Sequence, residues 1–243
     1  MDKNSSITRA KRRVEKNECS LNTRAKRRVE KNECSLNTRA KRRVEKRFIS
    51  LITQAIKNSV KVKNEILNDK EKILLIDEIS KEIVKAFKND KKVLLCGNGG
   101  SAADAQHIAA ELSGKFYLDR NPLFAEALHT NSSFLTAVAN DYSFNEVFGR
   151  AVKAMGRKGD VLIGISTSGN SLNIIKAIET ANKLKMVTVG LTGYDGGKMK
   201  NLCKYLIKIP SDDTPRIQEA HILVGHIICE LVEKEIFGEV ETV

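Results

Sequence analysis

The sequence predicts an α/β protein: a three-layer α/β/α sandwich around a five-stranded parallel sheet, with helices and a basic repeated tail at its N-terminal side. Beyond about residue 90, short apolar runs of strand length alternate with longer amphipathic stretches, which is the pattern of strands joined by crossover helices. Two of these runs, Val93-Leu94-Leu95-Cys96 and Val161-Leu162-Ile163-Gly164-Ile165, pass abruptly into turns of small and hydroxyl residues that open onto helices. Strands of that kind end at ligand sites, because a parallel sheet presents its turns along one edge. With 243 residues there is room for one domain of ordinary size and an extension.

The extension comes first. Thr8-Arg9-Ala10-Lys11-Arg12-Arg13-Val14-Glu15-Lys16 recurs at 23–31 and 38–46, a period of 15, with Asn-Glu-Cys-Ser-Leu-Asn spacers at 17–22 and 32–37. Residues 1–47 hold 17 basic and 6 acidic residues, so they carry +11 of the formal +12; residues 48–243 hold 25 and 24 and are nearly neutral. The charge therefore gives no reason to place a nucleic-acid surface on the globular part. Copies so poor in apolar residues cannot bury a core, so 1–47 reads as a solvated or partly helical extension and 48–243 as the folded domain. A basic arm that binds nucleic acid or an acidic surface is the first alternative for this tail and a helical segment that binds a partner the second; a nucleic-acid contact by the tail is not expected to be functional. Arginine also suggests organelle targeting, but the glutamate in every repeat opposes it.

The domain opens with helical periodicity. Phe48-Ile49, Leu51-Ile52 and Ala55-Ile56, then Ile73-Leu74-Leu75-Ile76, Ile79, Ile83-Val84 and Ala86-Phe87, recur at spacings of three and four, so two helices precede the first strand. Strands follow near 92–96, 124–128, 161–165, 186–191 and 205–209. Helices lie near 101–113, 132–139, 144–156, 171–184 and 215–236. No apolar run approaches the length of a membrane span, and the five cysteines form no C-x-x-C pair. Cys96, Cys203 and Cys229 stand in apolar contexts, as small hydrophobes do. These features predict a cytoplasmic protein with no membrane partner.

The first turn, Gly97-Asn98-Gly99-Gly100-Ser101, suits a phosphate: glycine lets backbone N–H groups close on an anion, and the helix that follows points its positive end there. The second, Ser166-Thr167-Ser168-Gly169-Asn170-Ser171, adds hydroxyls that satisfy phosphate oxygens. No Walker lysine follows either turn, and Ala102 stands where a dinucleotide fingerprint ends in glycine. A small sugar phosphate fits better than a nucleotide. On the helix after the first turn, His107 and Glu111 are four apart and share a face. Such a pair is ordinarily a surface contact. Gln218, His221 and His226 place further polar groups in the otherwise apolar last helix, where a single histidine is ordinarily a satisfied buried residue.

From about Phe48 to Gly238 the chain resembles the bacterial phosphoheptose isomerases of the sugar isomerase (SIS) fold. The likeness rests on Cys96–Ser101, His107–Gly114, Ala139-Asn140-Asp141, Gly159–Ser171, Leu191-Thr192-Gly193 with Asp195–Met199, and Arg216–Glu219 with His226. It implies that Asn98, Gly99, Gly100, Ser166, Thr167, Ser168 and Ser171 hold the sugar phosphate, with Asn140, Asp141, Glu111 and Gln218 as further substrate contacts. It implies Glu111 and His226 as the acid/base residues, and His107, Glu111, Gln218 and His226 as ligands of one zinc ion per subunit. It also implies a homotetramer with sites at subunit interfaces. The tail has no counterpart in the family pattern, and Thr214-Pro215 departs from it.

The implied reaction converts sedoheptulose 7-phosphate to D-glycero-D-manno-heptose 7-phosphate, a precursor of lipopolysaccharide or capsule heptose. One carboxylate carries the carbon-bound proton and one histidine the oxygen-bound proton. A carboxylate held by zinc is a poorer base, so Glu111 in both roles is a tension within the scheme. Gln218 and His226 are eight residues apart, about 12 Å along a straight helix. Both reach one ion only if the helix is distorted near Gly225 or ligands come from more than one subunit. The alternatives are another SIS sugar-phosphate isomerase, or a non-enzymatic SIS protein associating with a replication initiator.

Overall fold

The structure is a computed structural model that describes residues 46–238, so the tail repeats lie outside the described residues except for Lys46. The chain divides into two compact units, Met1–Lys57 and Asn58–Val243. In the first, the described residues 46–57 are helical and exposed throughout, with Phe48, Ile49, Leu51, Ile52 and Ile56 uncovered. They begin helix α1, residues 46–67. The remaining elements belong to the second unit.

Helix α2 (Lys70–Lys88) starts where Asp69 accepts a hydrogen bond from the Lys72 amide at 2.9 Å, capping an otherwise orphan N–H. Its Ile76, Ile79 and Ile83 recur at three and four and are buried. Five strands follow: β1 (Val93–Gly97), β2 (Ala125–Ala127), β3 (Val161–Ile165), β4 (Val187–Thr192) and β5 (Tyr205–Lys208). They form one parallel sheet in the order β2-β1-β3-β4-β5. Between them run α3 (Gly100–Ser113), α4 (Ser132–Asp141), α5 (Val147–Met155) and α6 (Leu172–Lys183), and α7 (Thr214–Phe237) closes the fold. The predicted elements are all present, with ends shifted by one or two residues and the stretch at 144–156 divided into a short 3-10 turn, Phe144–Glu146, and α5.

Strand side chains alternate between two cores, which is what makes three layers. Val93, Leu95, Val161, Ile163 and Ile165 pack with residues of α2, α3 and α7. Leu94, Cys96 and Leu162 pack on the other face with residues of α5 and α6. Among the described residues no helix is long and apolar enough to cross a membrane.

In this order the chain leaves β1 toward β2 and returns to place β3 on the other side of β1. That reversal opens a crevice between β1 and β3 at their carboxyl ends. Both glycine turns meet there, because Gly97 pairs with Ile165, the residue before Ser166.

Helix α7 runs unbroken from Thr214 to Phe237, so it has no break at Gly225. His221 on it is fully buried, with Nε2 3.2 Å from the Thr192 carbonyl oxygen. Burial pushes its pKa down to about 4, against the opposing effect of that carbonyl. A neutral buried histidine favours folding above its unfolded pKa near 6.5, and that contribution is lost as pH falls toward 4. The loss should approach about 3 kcal/mol. Urea midpoints measured from pH 7 to pH 4 should therefore fall more steeply for the native chain than for His221→Met. Equal slopes would mean that His221 is not held neutral in the fold.

Candidate active site

The first cradle begins where β1 stops. Gly97 has no room for a side chain, since a Cβ there would lie 2.2 Å from the Ser101 carbonyl oxygen. Gly99, the N-cap of α3, adopts φ 55°, a left-handed conformation that glycine enters without penalty. No side chain caps this helix end, and a Cβ on Gly99 would meet nothing within 4 Å. The turn thus leads into an N-terminal helix end without a side-chain cap, the positive end of the α3 dipole. Gln218 lies across the same turn: a Cβ on Gly100 would sit 2.5 Å from its Nε2.

The second cradle is built from hydroxyls. Ser166 Oγ stands 3.0 Å from Ser171 Oγ and 3.5 Å from Ser168 Oγ, and Ser168 Oγ accepts from the Asn170 amide at 3.2 Å. Ser166 is buried, Thr167 and Ser171 are half-buried, and Ser168 is exposed. The turn is locked from outside, since the Gly193 amide donates to the Thr167 carbonyl and the Met199 amide to that of Gly169. The first cradle is tied to the helix that follows the second. Asn98 and Asn173 exchange amide hydrogen bonds, each 2.9 Å, so the first turn is braced by the buried start of α6.

Farther along α3 a third cluster forms. His107 Nε2 is 3.0 Å from Glu111 Oε1 and 3.5 Å from His226 Nε2, with the two imidazoles edge to face at 4.9 Å. His226 reaches them because Gly225 lets α7 close on α3, where a Cβ would stand 2.5 Å from Ile108 Cδ1. The three donor atoms all lie within 4.8 Å of one another. Ligands about 2.1 Å from a tetrahedral ion are about 3.4 Å apart, so the 3.0 and 3.5 Å separations match edges of such a shell, and two nitrogens with one carboxylate oxygen suit a divalent metal ion. Asp104, one turn earlier on α3, has a buried Oδ2 with no hydrogen-bond partner among the described residues. Burial pushes its carboxyl up to about 6, partly offset by His107.

The residues expected from the sequence thus fall into separate groups. Asn98, Gly99, Gly100 and Gln218 gather at the first cradle; Ser166, Thr167, Ser168 and Ser171 form the second. His107, Glu111 and His226 form the third. Gln218, the other expected zinc ligand, has its amide at Gly100, at the far end of α3 from Glu111. Asn140 and Asp141 stand at the exposed end of α4, joined by a 2.9 Å hydrogen bond. Sequence reasoning passed over Asn173. A polar residue on the apolar face of α6 was the available signal, but its partner Asn98 is 75 positions away.

A family model for the SIS domain matches residues 51–193. The chain is 55% identical over 184 residues to phosphoheptose isomerase of Clostridium acetobutylicum, covering 76% of this chain and 94% of that one. It is 56% identical over 182 residues to phosphoheptose isomerase 2 of Campylobacter jejuni, covering 75% and 90%. Among solved structures, a phosphoheptose isomerase from Neisseria gonorrhoeae superposes with a TM-score of 0.70 at 44% identity, covering 76% of this chain and 98% of that one. One from Francisella tularensis gives a TM-score of 0.73 at 36% identity with the same coverage.

Proposed function

The chain belongs to the SIS-domain phosphoheptose isomerases, and from that premise we propose that it interconverts D-sedoheptulose 7-phosphate and D-glycero-D-manno-heptose 7-phosphate in heptose biosynthesis. The observation that carries this reading is the meeting of His107, Glu111 and His226 on α3 and α7, with a phosphate cradle at the start of the same α3. His107 lies seven residues beyond Gly100, about 10 Å of helix rise, which leaves room for an extended sugar between phosphate and acid/base groups.

Asn98, Gly99, Gly100, Ser166, Thr167, Ser168 and Ser171 bind the phosphate in this scheme, and Gln218, Asn140 and Asp141 contact the sugar. Glu111 removes the proton beside the carbonyl and returns it to the neighbouring carbon. His226 moves the proton between the two oxygens, and the pair is worth roughly 10² to 10⁴ in rate per group. A zinc ion held by His107, Glu111 and His226 would polarise the carbonyl and stabilise negative charge on its oxygen. Participation of Gln218 at that ion falls to a second copy of the chain, since its own amide faces Gly100.

Assembly as a homotetramer is supported by uncovered apolar side chains in each unit, Ile49, Ile52 and Ile56 in the first and Leu67, Ile73 and Leu74 in the second. The free thiols Cys96, Cys203 and Cys229 support a cytoplasmic setting. The tail, 1–47, is an appended extension to the domain at 48–243, and any contact it makes with nucleic acid is incidental to the reaction.

The deciding experiment supplies purified protein with a panel of ketose phosphates and follows aldose product. Turnover of sedoheptulose 7-phosphate well above that of pentulose and hexulose phosphates is the expected result; preference for one of the shorter sugars would overturn the substrate assignment. Chelation should lower turnover and zinc restore it, and His107→Ala should lower the zinc content of the protein as isolated. Full turnover by metal-free protein would remove zinc from the scheme.

A further inference from the structure

Glu233 lies seven residues beyond His226 on α7, two turns along and on the same face. Its side chain is 1% exposed and that of its partner Arg120 is 3% exposed. A carboxylate so far from water needs partners, and Glu233 accepts from the amides of Phe116, Tyr117 and Leu118 at 3.2, 2.7 and 2.9 Å and from Arg120 Nε at 2.9 Å. The other side of the guanidinium faces the end of α3. Nη2 donates to the Glu111 carbonyl at 2.9 Å, and Nη1 to those of Leu112 and Gly114 at 2.8 and 3.2 Å. The last carbonyls of a helix have no partner within it and carry its negative end, so a cation there both satisfies and stabilises them.

One buried ion pair thus ties three pieces: the last turn of α3 with Glu111, the following loop, and the face of α7 with His226. The loop contributes Phe116, whose amide is held by Glu233 and whose ring centroid is 5.8 Å from that of His226. A buried ion pair adds little stability over apolar packing of the same volume. What a guanidinium adds is direction, because its planar fork engages several acceptors at set angles.

We propose that Arg120 and Glu233 are positioning residues of the isomerase, fixing the Glu111 carboxylate against the His226 imidazole. The inference rests on the assignment of Glu111 and His226 as the acid/base pair. Neither Arg120 nor Glu233 meets the substrate in this scheme; they act through α3 and α7.

The test compares Glu233→Gln and Arg120→Lys with Asp160→Asn. Asp160 is equally buried and paired with Lys92 at 2.7 Å, but it stands at the amino end of β3, away from the cradles. Each protein is assayed well below its own melting temperature for kcat, KM and zinc affinity in competition with a chelator. The positioning variants should lose about 10- to 100-fold in kcat and in zinc affinity with KM changed less than about twofold. Asp160→Asn should lose melting temperature alone. If kcat and zinc affinity of the positioning variants follow those of Asp160→Asn, the pair is only a structural staple and the proposal fails. Should Glu233→Gln not fold, Arg120→Lys decides by the same criteria, since it keeps the charge but cannot span Glu233 and the α3 carbonyls together. Glu111→Gln is assayed alongside: activity retained there would sink the acid/base assignment itself, whereas activity lost there but kept in Arg120→Lys would sink only the positioning role.

Discussion

Glu111→Gln should abolish isomerisation and leave the fold in place. The amide keeps the size of the carboxylate and one acceptor oxygen facing His107, but it cannot take a proton from carbon at neutral pH. The expected loss in kcat is roughly 10² to 10⁴, the range for removal of a positioned general base. Glu111 is partly exposed, with His107 the partner of its side chain at 3.0 Å, so the melting temperature should move by only a few degrees. Solvent deuterium gives the sharper measurement, because the base that carries the proton between carbons also exchanges it. Incorporation at the carbon beside the carbonyl should vanish together with turnover in Glu111→Gln. Exchange at the native rate in the variant would place the base elsewhere, whatever happened to product formation.

The second large effect should come from one methyl group at Gly169. This residue has φ 64°, and a Cβ on it would stand 2.2 Å from the Gly196 carbonyl oxygen and 2.6 Å from the Gly196 carbonyl carbon. Across the same gap, a Cβ on Gly197 would be 2.5 Å from the Ser168 carbonyl oxygen. Two backbone turns are therefore pressed together with no side chain between them that could yield. Gly169→Ala incurs the left-handed penalty of about 1 to 2 kcal/mol and an overpacking cost of about 1 to 3 kcal/mol. For a domain of this size that is a fall of about 5 to 15 °C in melting temperature. The turn that must move carries Ser166, Ser168 and Ser171, so KM for the phosphorylated substrate should rise at least about tenfold, equivalent to about 1.4 kcal/mol of lost binding. Calorimetry and initial rates on one preparation check both. An unchanged KM beside a lowered melting temperature would show that this turn supports the fold without holding the phosphate.

The sequence alone determined the layers and the turns at each strand end, because those are local properties. A buried parallel strand is a short apolar run and a crossover helix an amphipathic one, so β1, α3, β3 and α6 were legible to within a residue or two. Gly97-Asn98-Gly99-Gly100 and the serines from Ser166 to Ser171 marked turns at strand ends for the same reason. His107 and Glu111 could be placed on one face from helical period alone. Periodicity could not separate His221 from His226, five residues apart in one apolar helix: one is sealed against the Thr192 carbonyl, the other opens toward His107. It also could not place Gln218, which the tertiary structure sets against Gly100.

Strand order was likewise a tertiary decision. A crossover helix can deliver the next strand to either side of the last, and nothing in the local pattern distinguishes the two. Placing β3 beside β1 makes Gly97 a neighbour of Ile165, unites the two cradles and lets Asn98 meet Asn173. The cluster of His107, Glu111 and His226 arises in the same way, from α7 closing on α3 where Gly225 leaves room beside Ile108, and from Arg120 bridging Glu233 to the Glu111 carbonyl. Apart from the Arg120 bond to the Glu111 carbonyl, these contacts join residues distant in sequence, 75 positions for Asn98 and Asn173 and 113 for Arg120 and Glu233, and their energies exist only once the helices have packed.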